Sequence, residues 1–189
     1  MYQDLWVKGK MIEKGTRECE NRYNKIKEVL NRFNKHFTVL DIGACLGYFS
    51  FRIAEDFDCT VTMIESNNEI NDILIQNDNK QVKLINKKVT VEDMRNLQKS
   101  QHFDVVLALS VLHHFEDYED VIDTIFDLGD LLFIEPSASE EAKGGYNSDR
   151  VDGIRKILFE KQPKILTYTK NLRKLGERPL MLFDNKNKK

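Results

Sequence analysis

From about residue 37 almost to the end of the chain, short runs of apolar residues alternate with longer stretches in which apolar positions recur every three or four residues. That alternation predicts a mainly parallel sheet with crossover helices. Strands are expected at 37–42, 60–65, 82–86, 103–109 and 131–135, each an apolar run bounded by polar turn residues. Helices are expected over 48–57 and 69–75, and again where Tyr118, Val121, Ile122, Ile125 and Phe126 share one helical face. Ahead of the first strand, Cys19, Tyr23, Ile26, Leu30 and Phe33 are spaced 4, 3, 4 and 3, an amphipathic helix that Thr16 is placed to cap. Beyond the fifth strand come a Gly/Ser/Glu-rich loop over 136–149, a helix near 151–159 and two further strand candidates, 165–169 and 180–183. The pattern reads as one α/β domain over residues 1–189. Its expected architecture is a doubly wound, mostly parallel seven-stranded sheet with helices on both faces, preceded by a helical lead-in over 1–36.

Composition narrows the class. With 189 residues, 41% apolar and 32% charged, the chain has the length of one domain and the make-up of an ordinary folded one. The longest apolar run, 105–112, falls far short of the roughly 20 residues that span a bilayer. Asp4, Lys8 and Lys10 break any stretch that might serve as the core of a signal peptide. Cys19, Cys45 and Cys59 are odd in number and widely spaced, which points to neither a disulfide framework nor a zinc site and fits a reducing cytoplasm. Charge is segregated along the chain. Residues 8–35 hold nine Lys/Arg against four Asp/Glu and residues 161–189 hold nine against two, whereas 36–160 hold 11 against 24.

The most informative stretch is Val39-Leu40-Asp41-Ile42-Gly43-Ala44-Cys45-Leu46-Gly47-Tyr48, an apolar strand, an acid, and two glycines four apart directly before a helix. Glycine lets the backbone turn sharply and approach a ligand, and the helix start behind it offers free N–H groups. A dinucleotide site would carry Gly-x-Gly-x-x-Gly and set a pyrophosphate against this turn, where a carboxylate at Asp41 would repel it. S-adenosylmethionine has no phosphate but carries an ammonium and a sulfonium, so an acid here favours it. Glu65 ends the second strand 22 residues after Gly43, where a carboxylate can accept both ribose hydroxyls of an adenosyl group.

On these residues the sequence resembles the class I S-adenosylmethionine-dependent methyltransferases, which have a Rossmann-like fold, and the resemblance covers nearly all of 37–184. It implies that Asp41, Gly43 and Gly47 form the first motif, that Glu65 binds the ribose, and that an acid after the third strand, best matched by Asp93, lies near the adenine. The fourth-strand motif appears as residues 103–115, with Leu109 at the cofactor and His113 and His114 following. Cys45 departs from the pattern, standing where many members have a middle glycine. A fainter, local resemblance links Glu135-Pro136 and Arg178-Pro179 to the bicoid-interacting type of RNA 5′-phosphate-capping methyltransferase.

The chemistry is expected just beyond strands four and five, at residues 110–114 and 135–137. His113 or His114 is placed to take a proton from the acceptor, or else to cap a helix or pack beneath the cofactor. Arg22 or Arg17 is placed to pair with the cofactor carboxylate. No metal-binding set stands out, and 109–112 lacks the Asn/Asp-Pro-Pro-aromatic motif of amino-methylating DNA enzymes. The acceptor, a small molecule, a saccharide or an RNA end, is left open. A basic rim formed by Arg17, Arg22, Arg173, Lys174 and Arg178 would favour an anionic one. Two other readings remain: a catalytically silent binding module that keeps this fold, and a nicotinamide-dependent reductase, for which the glycine spacing and Asp41 are wrong.

Overall fold

The computed structural model describes residues 1–142, 148–170 and 176–186. Seven strands form the main sheet: β3 (Phe37–Ile42), β4 (Cys59–Glu65), β5 (Val82–Asn86), β6 (Phe103–Leu109), β7 (Gly129–Glu135), β8 (Lys164–Lys170) and β9 (Glu177–Asp184). Their spatial order is β5-β4-β3-β6-β7-β9-β8, parallel from β5 to β7, with β9 antiparallel to both its neighbours. The five predicted parallel strands and the two late candidates are all present. The sheet grows outward from β3 in one direction and from β6 in the other. The crevice between these two strands is therefore the topological switch point, where ligands bind in open α/β sheets.

The strands read as nearly continuous apolar runs because both faces are covered. On one face Val39, Val61, Met63, Val105, Leu107 and Phe133 pack under α1 (Cys19–Leu30), α2 (Tyr48–Asp56) and α3 (Glu69–Asn77). On the other, Leu40, Ile42, Val106, Ala108, Leu132 and Ile134 pack under α4 (Val91–Ser100), α5 (Tyr118–Leu128) and α7 (Ser148–Glu160). A short α6 (Ser139–Ala142) lies inside the segment expected to be a loop.

Three other features differ from the sequence expectation. The lead-in begins not with a helix but with a hairpin of β1 (Leu5–Val7) and β2 (Lys10–Glu13), turned through Lys8 and Gly9, both at positive φ. All four residues of β2 are exposed, so no alternation marks it in the sequence. Thr16 does not cap α1. Glu18 precedes that helix without a side-chain cap, while the Thr16 hydroxyl donates to the Met1 carbonyl at 3.1 Å. Finally, α4 was not foreseen; Thr90 and Asp93 open it with a reciprocal capping box. Among the described residues, no helix is long and apolar enough to cross a membrane.

Candidate functional site

At the carboxyl ends of β3 and β6 lies a cleft of about 800 Å³, lined by Asp41, Gly43, Cys45, Glu65 and Leu109 together with Tyr2, His113, His114, Arg150 and Arg178. The turn after β3 is sharp. Gly43 sits at φ +74°, and a Cβ added there would come within 2.5 Å of Val111 Cγ2. Val111 follows Ser110, whose φ of +60° swings the chain after β6 back toward this glycine. The two turns interlock. Cys45 also occupies the left-handed region, at φ +57°, so the position where the resembled family often has glycine keeps that backbone shape with a side chain in place.

Asp41 is buried and accepts the Ser50 hydroxyl at 2.7 Å. Burial pushes its carboxyl up to about 7, against the pull of the Ser50 hydrogen bond. The carboxylate of half-buried Glu65 is oriented by backbone donors: Cys45 N reaches Oε2 at 2.7 Å, and Ser66 N and Asn67 N reach Oε1 at 2.7 and 2.8 Å. That arrangement fixes the direction of Oε2 while leaving it a lone pair for a ligand hydroxyl.

His113 and His114 stand on a 3₁₀ turn (Leu112–His114), their rings 4.1 Å apart. His113 Nδ1 lies 3.3 Å from Ser137 Oγ. Burial, then His114 and Arg178, push the His113 imidazole down to about 4, with Glu141 opposing. It is therefore neutral at pH 7. Arg178 grips Glu141 with two hydrogen bonds, 2.7 and 2.6 Å, and donates to the Tyr2 hydroxyl at 3.2 Å. Arg150 pairs with Glu116 at 3.3 Å.

Behind the cleft is a buried ion cluster. Glu135, at the end of β7, accepts from Arg17 Nη2 at 2.9 Å, Arg22 Nη1 at 2.9 Å, Thr169 Oγ1 at 2.8 Å and the Ser110 hydroxyl. Burial alone would raise this carboxyl, but Arg22 and Arg17 outweigh it and hold it below its usual range.

Several sequence candidates land elsewhere than expected. Asp93 does not itself line the cleft; its carboxylate closes the α4 capping box and pairs at 2.7 Å with Lys87, which does. Gly47 does not line the cleft either. It is at φ +76° ahead of α2, and a Cβ there would meet the Phe51 ring at 2.5 Å, so its glycine serves helix packing. Of the five residues expected at a basic rim, Arg22 and Arg178 line the cleft, each already paired with a carboxylate, while Arg17 is buried in the Glu135 cluster. Arg173 and Lys174 lie outside the described residues. Sequence reasoning missed Tyr2, Gln3, Ser50 and Arg150. The first two precede all recognisable periodicity, and a helical serine beneath an acid leaves no mark in the pattern.

Residues 39–128 match the family model for a methyltransferase domain. The matched span takes in 90 of the 189 residues and carries the cleft-lining Asp41, Gly43, Glu65, Leu109, His113 and His114. Among solved structures, the bifunctional kinase-methyltransferase WbdD aligns with 18% identity and a TM-score of 0.71, over 91% of this chain and 41% of its own. This chain thus spans about two fifths of that protein's length. The N-terminal domain of EvdMO1, solved in the presence of S-adenosylhomocysteine and D-fucose, aligns with 11% identity and a TM-score of 0.68, over 97% and 90% of the two chains. Both likenesses are likenesses of fold. No curated protein matches the sequence.

The turn geometry makes an expected outcome concrete. Gly43→Val should abolish cofactor binding, since the new side chain collides with Val111 and strains a positive φ, whereas Cys45→Ala should leave affinity within about threefold. Calorimetric titration with S-adenosylhomocysteine reads both. Equal, mild losses would reduce the turn to a structural feature.

Proposed function

We propose that the protein transfers the methyl group of S-adenosylmethionine to an oxygen or nitrogen of an anionic acceptor: a phosphorylated small molecule, a saccharide or an RNA end. The observation that carries the reading is one cleft lined both by Asp41 and Glu65 and by His113, His114, Arg150 and Arg178. Its volume suits a cofactor and a small acceptor held together.

Glu65 takes the ribose hydroxyls, Gly43 and Leu109 let the adenosyl group approach the backbone, and Asp41 favours the cationic amino-acid part. Arg22 Nη2, whose acceptor among the described residues is the soft Cys19 sulfur at 3.5 Å, is the donor for the cofactor carboxylate. The acceptor lone pair then forms a bond to the methyl carbon. The carbon–sulfur bond breaks with its electrons going to sulfur, which leaves S-adenosylhomocysteine. The acceptor proton passes to His113, the neutral base nearest Ser137, with His114 as the other imidazole in reach. Much of the rate comes from position, because the sulfonium is already activated. Arg178 and Arg150, each paired with a carboxylate, and Lys88 line the cleft and are the cations that would meet an anionic acceptor.

The test is turnover. His113→Ala should lower kcat by about 10²–10⁴-fold with S-adenosylhomocysteine affinity intact, and Arg178→Gln should raise the acceptor KM. In the wild type, KM for a charged acceptor should rise with salt. Tight cofactor binding with no turnover on phosphorylated sugars or RNA 5′ ends would favour a silent binding module. A salt-independent KM would remove the anionic requirement.

A further inference from the structure

Gln3 is only 6% exposed, yet it lines the cleft. Its Oε1 accepts the backbone N–H groups of Leu46 and Tyr48 at 3.0 and 3.1 Å. Two N–H donors on one atom fix which way the amide faces, because only its oxygen can accept them. Nε2 is left over. It has no acceptor among the described residues and is not sealed from solvent, so a nearly buried side chain holds out a donor to the cleft. The backbone that carries it is tied down. Thr16 N and Arg17 N donate to the carbonyls of Met1 and Tyr2 at 3.2 and 3.1 Å, and Gly15 N donates to Asp4 at 2.7 Å.

The groups around Gln3 decide what that donor meets. Arg22 Nη2 and the backbone N–H of Asp4 both reach the Cys19 sulfur, which sets the Arg22 guanidinium beside the residue that follows Gln3. Arg22 stacks over the Phe49 ring, 5.0 Å from its centroid, and both residues line the cleft. In the first turn of α2, Phe49 N and Ser50 N have no acceptor among the described residues, so the positive end of that helix is only partly answered. An open amide donor, a guanidinium and a helix start gathered in one place call for an anion. The carboxylate is the one anionic group that S-adenosylmethionine carries.

We infer that Gln3 is a cofactor-binding residue: its Oε1 is engaged by the turn while its Nε2 donates, beside Arg22, to the carboxylate of S-adenosylmethionine and so selects ligands that carry that carboxylate. This rests on the reading of the cleft as an adenosyl site. A side chain that merely braced the turn would need only its oxygen. The ligand needs the nitrogen.

The experiment is calorimetric titration with S-adenosylhomocysteine and with 5′-methylthioadenosine, which keeps the adenosine and the sulfur but lacks the amino-acid part, with Tm recorded for each protein. The wild type should prefer S-adenosylhomocysteine by about 100-fold or more. Gln3→Glu keeps an oxygen for Leu46 N and Tyr48 N, which hold the new carboxylate ionised, and replaces the donor by a second acceptor. At about pH 8 it should weaken S-adenosylhomocysteine by about 100-fold and leave 5′-methylthioadenosine within about threefold. Gln3→Met removes donor and acceptor together. Damage to the turn then falls on both ligands, and the ratio of their affinities should still narrow by about tenfold, which carries the test should the glutamate variant not fold. Wild-type affinity for S-adenosylhomocysteine in the glutamate variant, an equal loss of both ligands there, or an unchanged ratio in the methionine variant would overturn the inference. No binding of either ligand to the wild type would instead refute the adenosyl reading beneath it.

Discussion

Replacing Glu135 by alanine is expected to remove about 3–5 kcal/mol of stability, the cost of leaving buried charges without their counter-ion. Both Arg17 and Arg22 depend on this one carboxylate, each with a side chain no more than 2% exposed, and Ser110 and Thr169 lose an acceptor with them. Domains of this size are stable by about 5–15 kcal/mol, so the variant should lose a large share of its stability. Equilibrium unfolding in urea measures the loss, and Lys25→Ala, which breaks an exposed pair with Glu28, serves as the control at about 0.5 kcal/mol or less. An alanine variant within about 1 kcal/mol of the wild type would mean that water reaches the arginines and the cluster is not a buried one.

Asp41→Asn should stabilise the empty protein and cripple it as a binder. Because the folded Asp41 carboxyl sits near 7 and the unfolded one near 3.8, the folded state holds the proton more tightly. Its contribution is present in full at low pH and is lost as pH rises from about 4 through about 7. Asparagine keeps a hydrogen-bond partner for Ser50 and never ionises. At pH 3 the two proteins should melt together, and at pH 8 the variant should be more stable by about 2–4 kcal/mol. A cationic cofactor wants the ionised form, so wild-type affinity for S-adenosylmethionine should improve from pH 6 to 8. The asparagine variant should bind about 10–100-fold more weakly at pH 8, with no such slope. Thermal melts and titrations across that range decide it. Parallel pH profiles for the two proteins would show that Asp41 ionisation plays no part in binding.

The central strands were legible because burial on both faces writes them as unbroken apolar runs, and β3, β5 and β6 begin and end where the sequence places them. Asp41, Gly43, Glu65, Leu109 and the His113–His114 pair were legible as a set because βαβ topology brings the ends of consecutive parallel strands to one edge. What escaped has a common physical cause. The hairpin at 5–13 is held by single side chains, Trp6 Nε1 on Glu55 and Lys8 N on Asn77, which leave no period to detect. Asp93 and Thr90 spell a capping box as readily as a ligand-binding acid, and only the presence of α4 chooses between them. Arg22 was correctly drawn to the cleft. Its pairing with Glu135 was not, because a contact across 113 positions leaves no trace in local sequence.

The Tyr2–Arg178 hydrogen bond joins groups 176 positions apart, and Arg17 reaches Lys170 in the same region. Closing loops of that length yields nothing until the intervening sheet exists. The cleft is therefore a product of the finished fold and not a seed of it. Nucleation must draw on nearer neighbours, such as the β3–β4 pairing with α2 packed across it. A ligand in the cleft then acts after the folding barrier: it slows unfolding and leaves the rate of folding unchanged. The protein adds to its own resistance to unfolding through the molecule it binds, and only once it is able to bind it.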